Sequence, residues 1–105
     1  MTELDVVVRD NPESRTYDAM VGDEIAGTLL YELEGPRIVL THTAVQPRYQ
    51  HHGIASALIP RALDDIRAKG KRVTVICPFV REYIDAHPEY ADMVDDRYPG
   101  TATPK

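Results

Sequence analysis

The strongest constraint on how this chain can fold lies in its middle. There the run Arg37-Ile38-Val39-Leu40-Thr41-His42-Thr43-Ala44-Val45 gives way, after Gln46-Pro47, to a run of different period. The first run is rich in β-branched side chains and predicts a central strand. On a regular strand Ile38, Leu40, His42 and Ala44 face one way, and Val39, Thr41, Thr43 and Val45 face the other. In the second run Ile54, Leu58, Ala62, Leu63 and Ile66 recur at helical spacing, with Arg61, Asp64, Asp65, Arg67 and Lys69 opposite them. This predicts an amphipathic helix over about residues 53–69. Asp65 and Lys69 stand four apart in the favourable order, and Gly70 supplies the stop. Pro60 conflicts with the pattern, because a proline inside a helix removes one hydrogen bond and kinks the axis, at up to ~3 kcal/mol. The run Arg72-Val73-Thr74-Val75-Ile76-Cys77 reads as a further strand. A strand regained through a helix is expected to lie parallel to the one before it, with a right-handed crossover.

The flanks are simpler. A β-prone run around Val6, Val7 and Val8 stops at Asp10-Asn11-Pro12-Glu13, which places a first strand over about residues 4–9. Residues 15–21 and 24–33, separated by Gly22-Asp23, predict two hairpin-linked strands. A short helix near 79–87 and a last turn near 88–94 follow Pro78, and the polar stretch from Asp95 reads as a loose tail. The expected organisation is one domain over residues 1–94 and a flexible segment over 95–105. The expected fold is α+β, a twisted, mostly antiparallel sheet of about five strands with one parallel β-helix-β unit.

With 105 residues, the chain has room for one modest core and no second domain. Apolar residues at 43% and charged residues at 28% are ordinary for a globular protein, and no run is long enough to span a membrane. The opening Met-Thr-Glu-Leu-Asp lacks the regions of a signal peptide, so a cytoplasmic location is expected. A net charge of −5 argues against binding the phosphate backbone of a nucleic acid and suits a cationic substrate such as an amine. The single cysteine, Cys77, cannot form an internal disulfide. His51 and His52 are adjacent and point apart, with no third ligand near them in sequence, so no metal site is expected.

The segment between the long strand and the helix, Gln46 to Ser56, is the most informative for function. A helix N-terminus leaves backbone N–H groups unpaired and carries a partial positive charge, so a turn made permissive by Gly53 can wrap a diphosphate. Gly53 and Ala55 are small enough to let such a ligand approach the backbone. Gln50, Gly53 and Ala55 fit the pattern Q/R-x-x-G-x-G/A, and in this the chain resembles the GNAT N-acetyltransferase superfamily, whose coenzyme A loop has that form at that place. Strand order, Thr41-His42-Thr43 and the run Cys77-Pro78-Phe79-Val80 with Tyr83, His87-Pro88 and Tyr90 extend the resemblance over about residues 5–94, to a minimal single-domain branch.

The resemblance implies an acetyl-coenzyme A-dependent transfer to a primary amine of a protein or a small molecule, without a metal. It implies coenzyme A contacts from Thr43, Ala44, Val45, Gln50, His51, His52, Gly53, Ile54, Ala55 and Ser56, with Tyr83 lining the pantetheine channel. It also implies catalytic placement for Cys77 and His42, at the carboxyl ends of neighbouring strands. Cys77 can serve as acid, as transient acyl carrier or as packing, and the sequence leaves all three open. Phe79, four residues before Tyr83, reads as core. Where members of the branch often carry an acidic residue, two positions beyond His42, this chain has Ala44. A non-catalytic acyl-coenzyme A binding module is the alternative. A monomer or weak homodimer is expected, with acceptor recognition left to short loops or a second subunit.

Overall fold

In the computed structural model, residues 5–98 and Gly100 are described. Five strands, β1 (Val7–Asn11), β2 (Thr16–Val21), β3 (Glu24–Glu34), β4 (Arg37–Val45) and β5 (Arg72–Val75), form one sheet in sequence order. Neighbours from β1 to β4 run antiparallel, and β4 and β5 run parallel. Helix α1 (Ile54–Ala68) makes the crossover, a 3-10 turn (Pro47–Tyr49) precedes it, and α2 (Pro78–Ala86) and a second 3-10 segment (Pro88–Met93) follow β5. The expected mixed sheet with a parallel β-helix-β unit is thus present, with β1 beginning and ending later than predicted and β5 ending at Val75.

Helix α1 buries Ile54, Leu58, Ile59, Ala62, Leu63 and Ile66 against Tyr17, Ala19, Leu29, Ile38 and Leu40 of the sheet. Its C-terminus closes as the sequence predicts. Gly70 adopts φ 71°, its N–H donates to Arg67 O at 2.9 Å, and Lys71 N–H reaches back to Ile66 O at 3.2 Å. The helix runs through Pro60 as one element. The bond lost there belongs to the carbonyl of Ser56, an exposed residue that water can serve.

A polar network fastens this end of α1 to the sheet. Tyr17 Oη donates to Asp65 Oδ2 at 2.6 Å, Lys69 Nζ bridges Asp65 and Asp10 at 2.9 and 2.7 Å, and Tyr31 Oη donates to Asp10 Oδ1 at 2.7 Å. The two tyrosine rings lie 5.3 Å apart. Burial, with the Asp65 bond behind it, pushes the Tyr17 phenol well above its ordinary value, and burial with Asp10 raises Tyr31 to about 12. The Tyr17 bond, supported by Lys69, holds the Asp65 carboxyl below its ordinary value.

Two findings depart from the sequence expectation. Residues 95–98 and Gly100 do not leave the domain at Asp95. Val94 and Gly100 bridge in parallel to Val73 and Val75, Asp95 N–H donates to Val73 O at 2.9 Å, and Thr74 Oγ1 donates to Tyr98 O at 2.6 Å. The outer edge of β5 would otherwise present unpaired backbone groups, which this segment satisfies. The rest of the expected tail, Pro99 and residues 101–105, lies outside the described residues.

The second departure is in β4, where Leu30 pairs with His42 but Tyr31 pairs with Leu40, leaving Thr41 as an extra residue. Such a bulge reverses the alternation beyond it. His42 and Ala44 therefore do not share the core face with Ile38 and Leu40. They are exposed, and Thr43 is buried in their place.

Because the folded-state value of Asp65 is depressed, its interaction stabilises the fold above the ordinary carboxylate range, and that contribution fades as pH falls below about 4. Tyr17→Phe keeps the ring but removes the donor. It is expected to lower stability near neutrality by about 1 kcal/mol and to flatten the loss between neutral and acid pH, read from urea midpoints. An acid loss as steep as the native one would contradict the role given to this bond.

Candidate functional site

The site forms where β4 and β5 part. Leu40 O accepts the N–H groups of both Ile76 and Cys77, at 2.9 and 3.0 Å, and strand pairing ends there. Strand β4 continues to Val45, whereas β5 turns into α2 at Pro78. Among the described residues, the β5-side edge of β4 beyond Leu40 has no strand partner. Its backbone groups are free for an extended ligand.

Between Val45 and α1 the chain makes its 3-10 turn and then two left-handed residues, His51 (φ 69°) and Gly53 (φ 74°). A non-glycine residue at positive φ costs about 1–2 kcal/mol, so His51 holds a strained turn in place. Gly53 is the N-cap of α1 and supplies no side-chain cap. Ala57 N–H is the first to bond back, to Gly53 O at 3.1 Å. The N–H groups of Ile54, Ala55 and Ser56 precede it and have no partner within the helix, which makes this helix start a receptor for anionic oxygen. A Cβ built on Gly53 would have nothing within 4 Å.

This loop is latched onto the start of β3. Gln46 N–H donates to Ala26 O at 2.8 Å, and the Gln46 side-chain amide to Ile25 O. The Glu24 carboxylate takes Arg48 on one oxygen and Tyr49 Oη, at 2.5 Å, on the other. Behind the latch, Gly27 leaves room for α1 to come close. A Cβ there would stand 2.9 Å from Ile54 Cγ2 and 3.1 Å from Ala44 O.

A cavity of about 540 Å³ opens in front of these groups. Of the residues expected to contact coenzyme A, it is lined by Thr43, Ala44, Val45, Gln50, His51, Gly53, Ile54, Ala55 and Ser56. His52 is exposed and does not line it. Tyr83 lines a second cavity of about 230 Å³ that shares Ala55, Ser56 and Phe79 with the first, so the two form one groove along the starts of α1 and α2. Burial raises the Tyr83 phenol above its ordinary value, and its ring stacks on His87 with centroids 3.9 Å apart.

Tyr49 and Phe79 also line the larger cavity, beyond the residues that the resemblance implies. Phe79 was expected in the core but is 57% exposed, because Val80 and Ile84 carry the buried stripe of α2. The signal for it was available, since a residue in the first turn of a helix that follows a parallel strand stands at the ligand end of the sheet.

Cys77 and His42 do not come together as expected. Cys77 is fully buried, caps α2 with its carbonyl, and has Sγ 3.1 Å from Thr43 Oγ1. His42 stands on the opposite, exposed face, across from Leu30. Among the described residues no group of three or more His, Cys, Asp and Glu side chains is arranged to hold a metal ion. No helix among them is long and apolar enough to cross a membrane.

The sequence profile described as GCN5-related N-acetyl-transferase matches residues 16–93, from β2 through the second 3-10 segment, and so includes both sides of the groove. The chain belongs to this family. A solved structure from Desulfovibrio desulfuricans, described as belonging to the GNAT family, is similar to it, with 26% identity and a TM-score of 0.52. The similarity covers 74% of this chain and 52% of that one, so the chain spans about half the length of its structural relative. A search of the curated proteins finds no match.

Gly27→Ala tests whether close approach of α1 sets this geometry. Neither Ile54, 2% exposed, nor the Ala44 carbonyl can yield freely. The variant is expected to lose about 1–3 kcal/mol of stability by overpacking, read from urea midpoints. Native stability in Gly27→Ala would refute the role given to this close approach.

Proposed function

We propose that the chain is an acetyl-coenzyme A-dependent N-acetyltransferase acting on a primary amine. The observation that carries this reading is the uncapped start of α1, with three unbonded N–H groups, opening on a cavity at the free edge of β4. Coenzyme A fits that arrangement in chemistry, since a diphosphate needs anion receptors and an extended amide chain needs free strand edges. Bound there, it supplies an activated acetyl thioester.

The chain's own groups then divide the work. Ile54, Ala55 and Ser56 N–H hold the diphosphate, while Gly53 and Ala55 keep the approach open. Thr43, Ala44 and Val45 offer backbone polar groups to the chain that carries the thioester and to its carbonyl oxygen, where developing charge gains most from fixed N–H donors. Tyr83 and Phe79 flank the same arm from α2. Holding amine and thioester in register provides the larger part of the rate gain. His42, on the exposed face beside the parted strands, takes the proton of an amine arriving from that side. Ala44 has no carboxylate with which to share that task.

A second reading, a non-catalytic acyl-coenzyme A binding module, draws support from the full burial of Cys77 and the lack of an acid at Ala44. Release of free thiol on adding a panel of amines separates the two, since a module binds without release.

Two variants test the assignment. Gly53→Val forces a β-branched residue into left-handed backbone and into the open space beside the helix start, and should lower coenzyme A affinity at least about tenfold by calorimetry. Unchanged affinity would remove the loop from the binding site. His42→Gln should leave coenzyme A affinity near native and lower turnover by about tenfold or more, with the pH dependence of kcat/KM altered. Native turnover in that variant would leave proton removal to solvent.

A further inference from the structure

We infer that Thr43 is the positioning residue for Cys77 and the polar link between that buried thiol and the acyl-donor cavity. Cys77 is 0% exposed and lines neither cavity. Thr43, 4% exposed, lines the larger one and has its Oγ1 3.1 Å from Cys77 Sγ. The two side chains face each other just past Leu40, where backbone pairing between β4 and β5 has stopped, so this contact joins the strands across the fork.

The pairing depends on the β4 bulge. Without the extra residue Thr41, the side of β4 that faces Cys77 would present His42 or Ala44 rather than Thr43. A threonine hydroxyl has one proton to donate and two lone pairs to accept with, so it can serve Sγ on one side and a group in the cavity on the other. Direct attack by Sγ on a ligand in the cavity has no open path while Thr43 stands between them. Proton transfer does have one. Sγ passes its proton to Oγ1 as Oγ1 releases its own into the cavity, so one S–H bond breaks, one bond to hydrogen forms on the leaving sulfur, and the hydroxyl is regenerated. After product leaves, Cys77 regains a proton from solvent through Oγ1, and His42 releases the amine's proton to solvent. This inference rests on the transferase reading and assigns the cysteine the role of proton donor, held in place by Thr43.

Thr43→Val keeps nearly the same shape without the hydroxyl, Thr43→Ser keeps the hydroxyl, and Cys77→Ala removes the thiol. Thr43→Val should lower kcat at least about tenfold with KM for acetyl-coenzyme A near native, and Thr43→Ser should recover to within about threefold. In the Cys77→Ala background, Thr43→Val should cost nothing further, since the hydroxyl acts through the thiol. The S–H stretch of Cys77, the one thiol of the sequence, gives a Raman readout independent of turnover. It should shift in Thr43→Val and return to its native position in Thr43→Ser, as a hydrogen-bond partner of the thiol is lost and regained. Native kcat and a native S–H band in Thr43→Val would overturn the inference, as would additive losses in the double variant or full activity in Cys77→Ala. Coenzyme A binding without amine-dependent thiol release in the native protein would instead overturn the transferase reading, and the S–H comparison alone would then decide whether Thr43 holds the thiol.

Discussion

One carbonyl oxygen marks where this structure stops being a sheet and becomes a site. Leu40 O accepts two successive N–H groups, from Ile76 and Cys77, and in doing so ends the parallel ladder. An acceptor shared this way leaves the next stretch of β4 without a partner on that side, and buried backbone groups seldom stay unpaired. A ligand with amide groups is a natural partner. The same parting sends each strand into its own helix, so the starts of α1 and α2 come to lie at one cavity, and their aligned peptide dipoles favour negative charge there.

Helix α1 is built differently at its two ends. The C-terminal end is closed by Gly70 and Lys71 and tied to the sheet through Asp65, Lys69 and the two buried tyrosines. Its N-terminal end has no side-chain cap, and depends for its position on Gly27 behind it and on the latch between Glu24 and the Arg48-Tyr49 turn. A helix anchored by its far end can leave its near end unsatisfied, because packing rather than capping supplies most helical stability in a folded protein. Left uncapped, the near end can bind a ligand's anionic oxygens.

Most of the fold was legible because its signals are local. The period of residues 54–66, the β-branched run of β4 and the glycine at 70 each report on a few neighbouring residues, and the corresponding elements form where they were expected. So does the loop, since Gln50, Gly53 and Ala55 occupy a place in the chain that only a strand-to-helix turn can fill. What the sequence did not disclose is non-local. Residues 95–98 and Gly100 appear as a tail in sequence, yet the unpaired edge of β5 draws them in. Phe79 appears as core, yet Val80 and Ile84 occupy the packed side of α2.

The bulge at Thr41 shows where that boundary lies. Composition and spacing determined by themselves that residues 37–45 would be a strand, that a helix would follow and that the two would enclose a turn made permissive by Gly53. Which of His42 and Thr43 meets Cys77 could not be read from the same letters, because strand alternation is a local rule and a bulge is set by the pairing of two strands. Leu30 and Tyr31 of β3 take His42 and Leu40 as partners, one residue of β4 is left over, and every side chain beyond it changes face. The sequence thus contained all the groups of the site, and only the pairing of β3 with β4 decided that a threonine meets the buried thiol while the histidine stands on the exposed face.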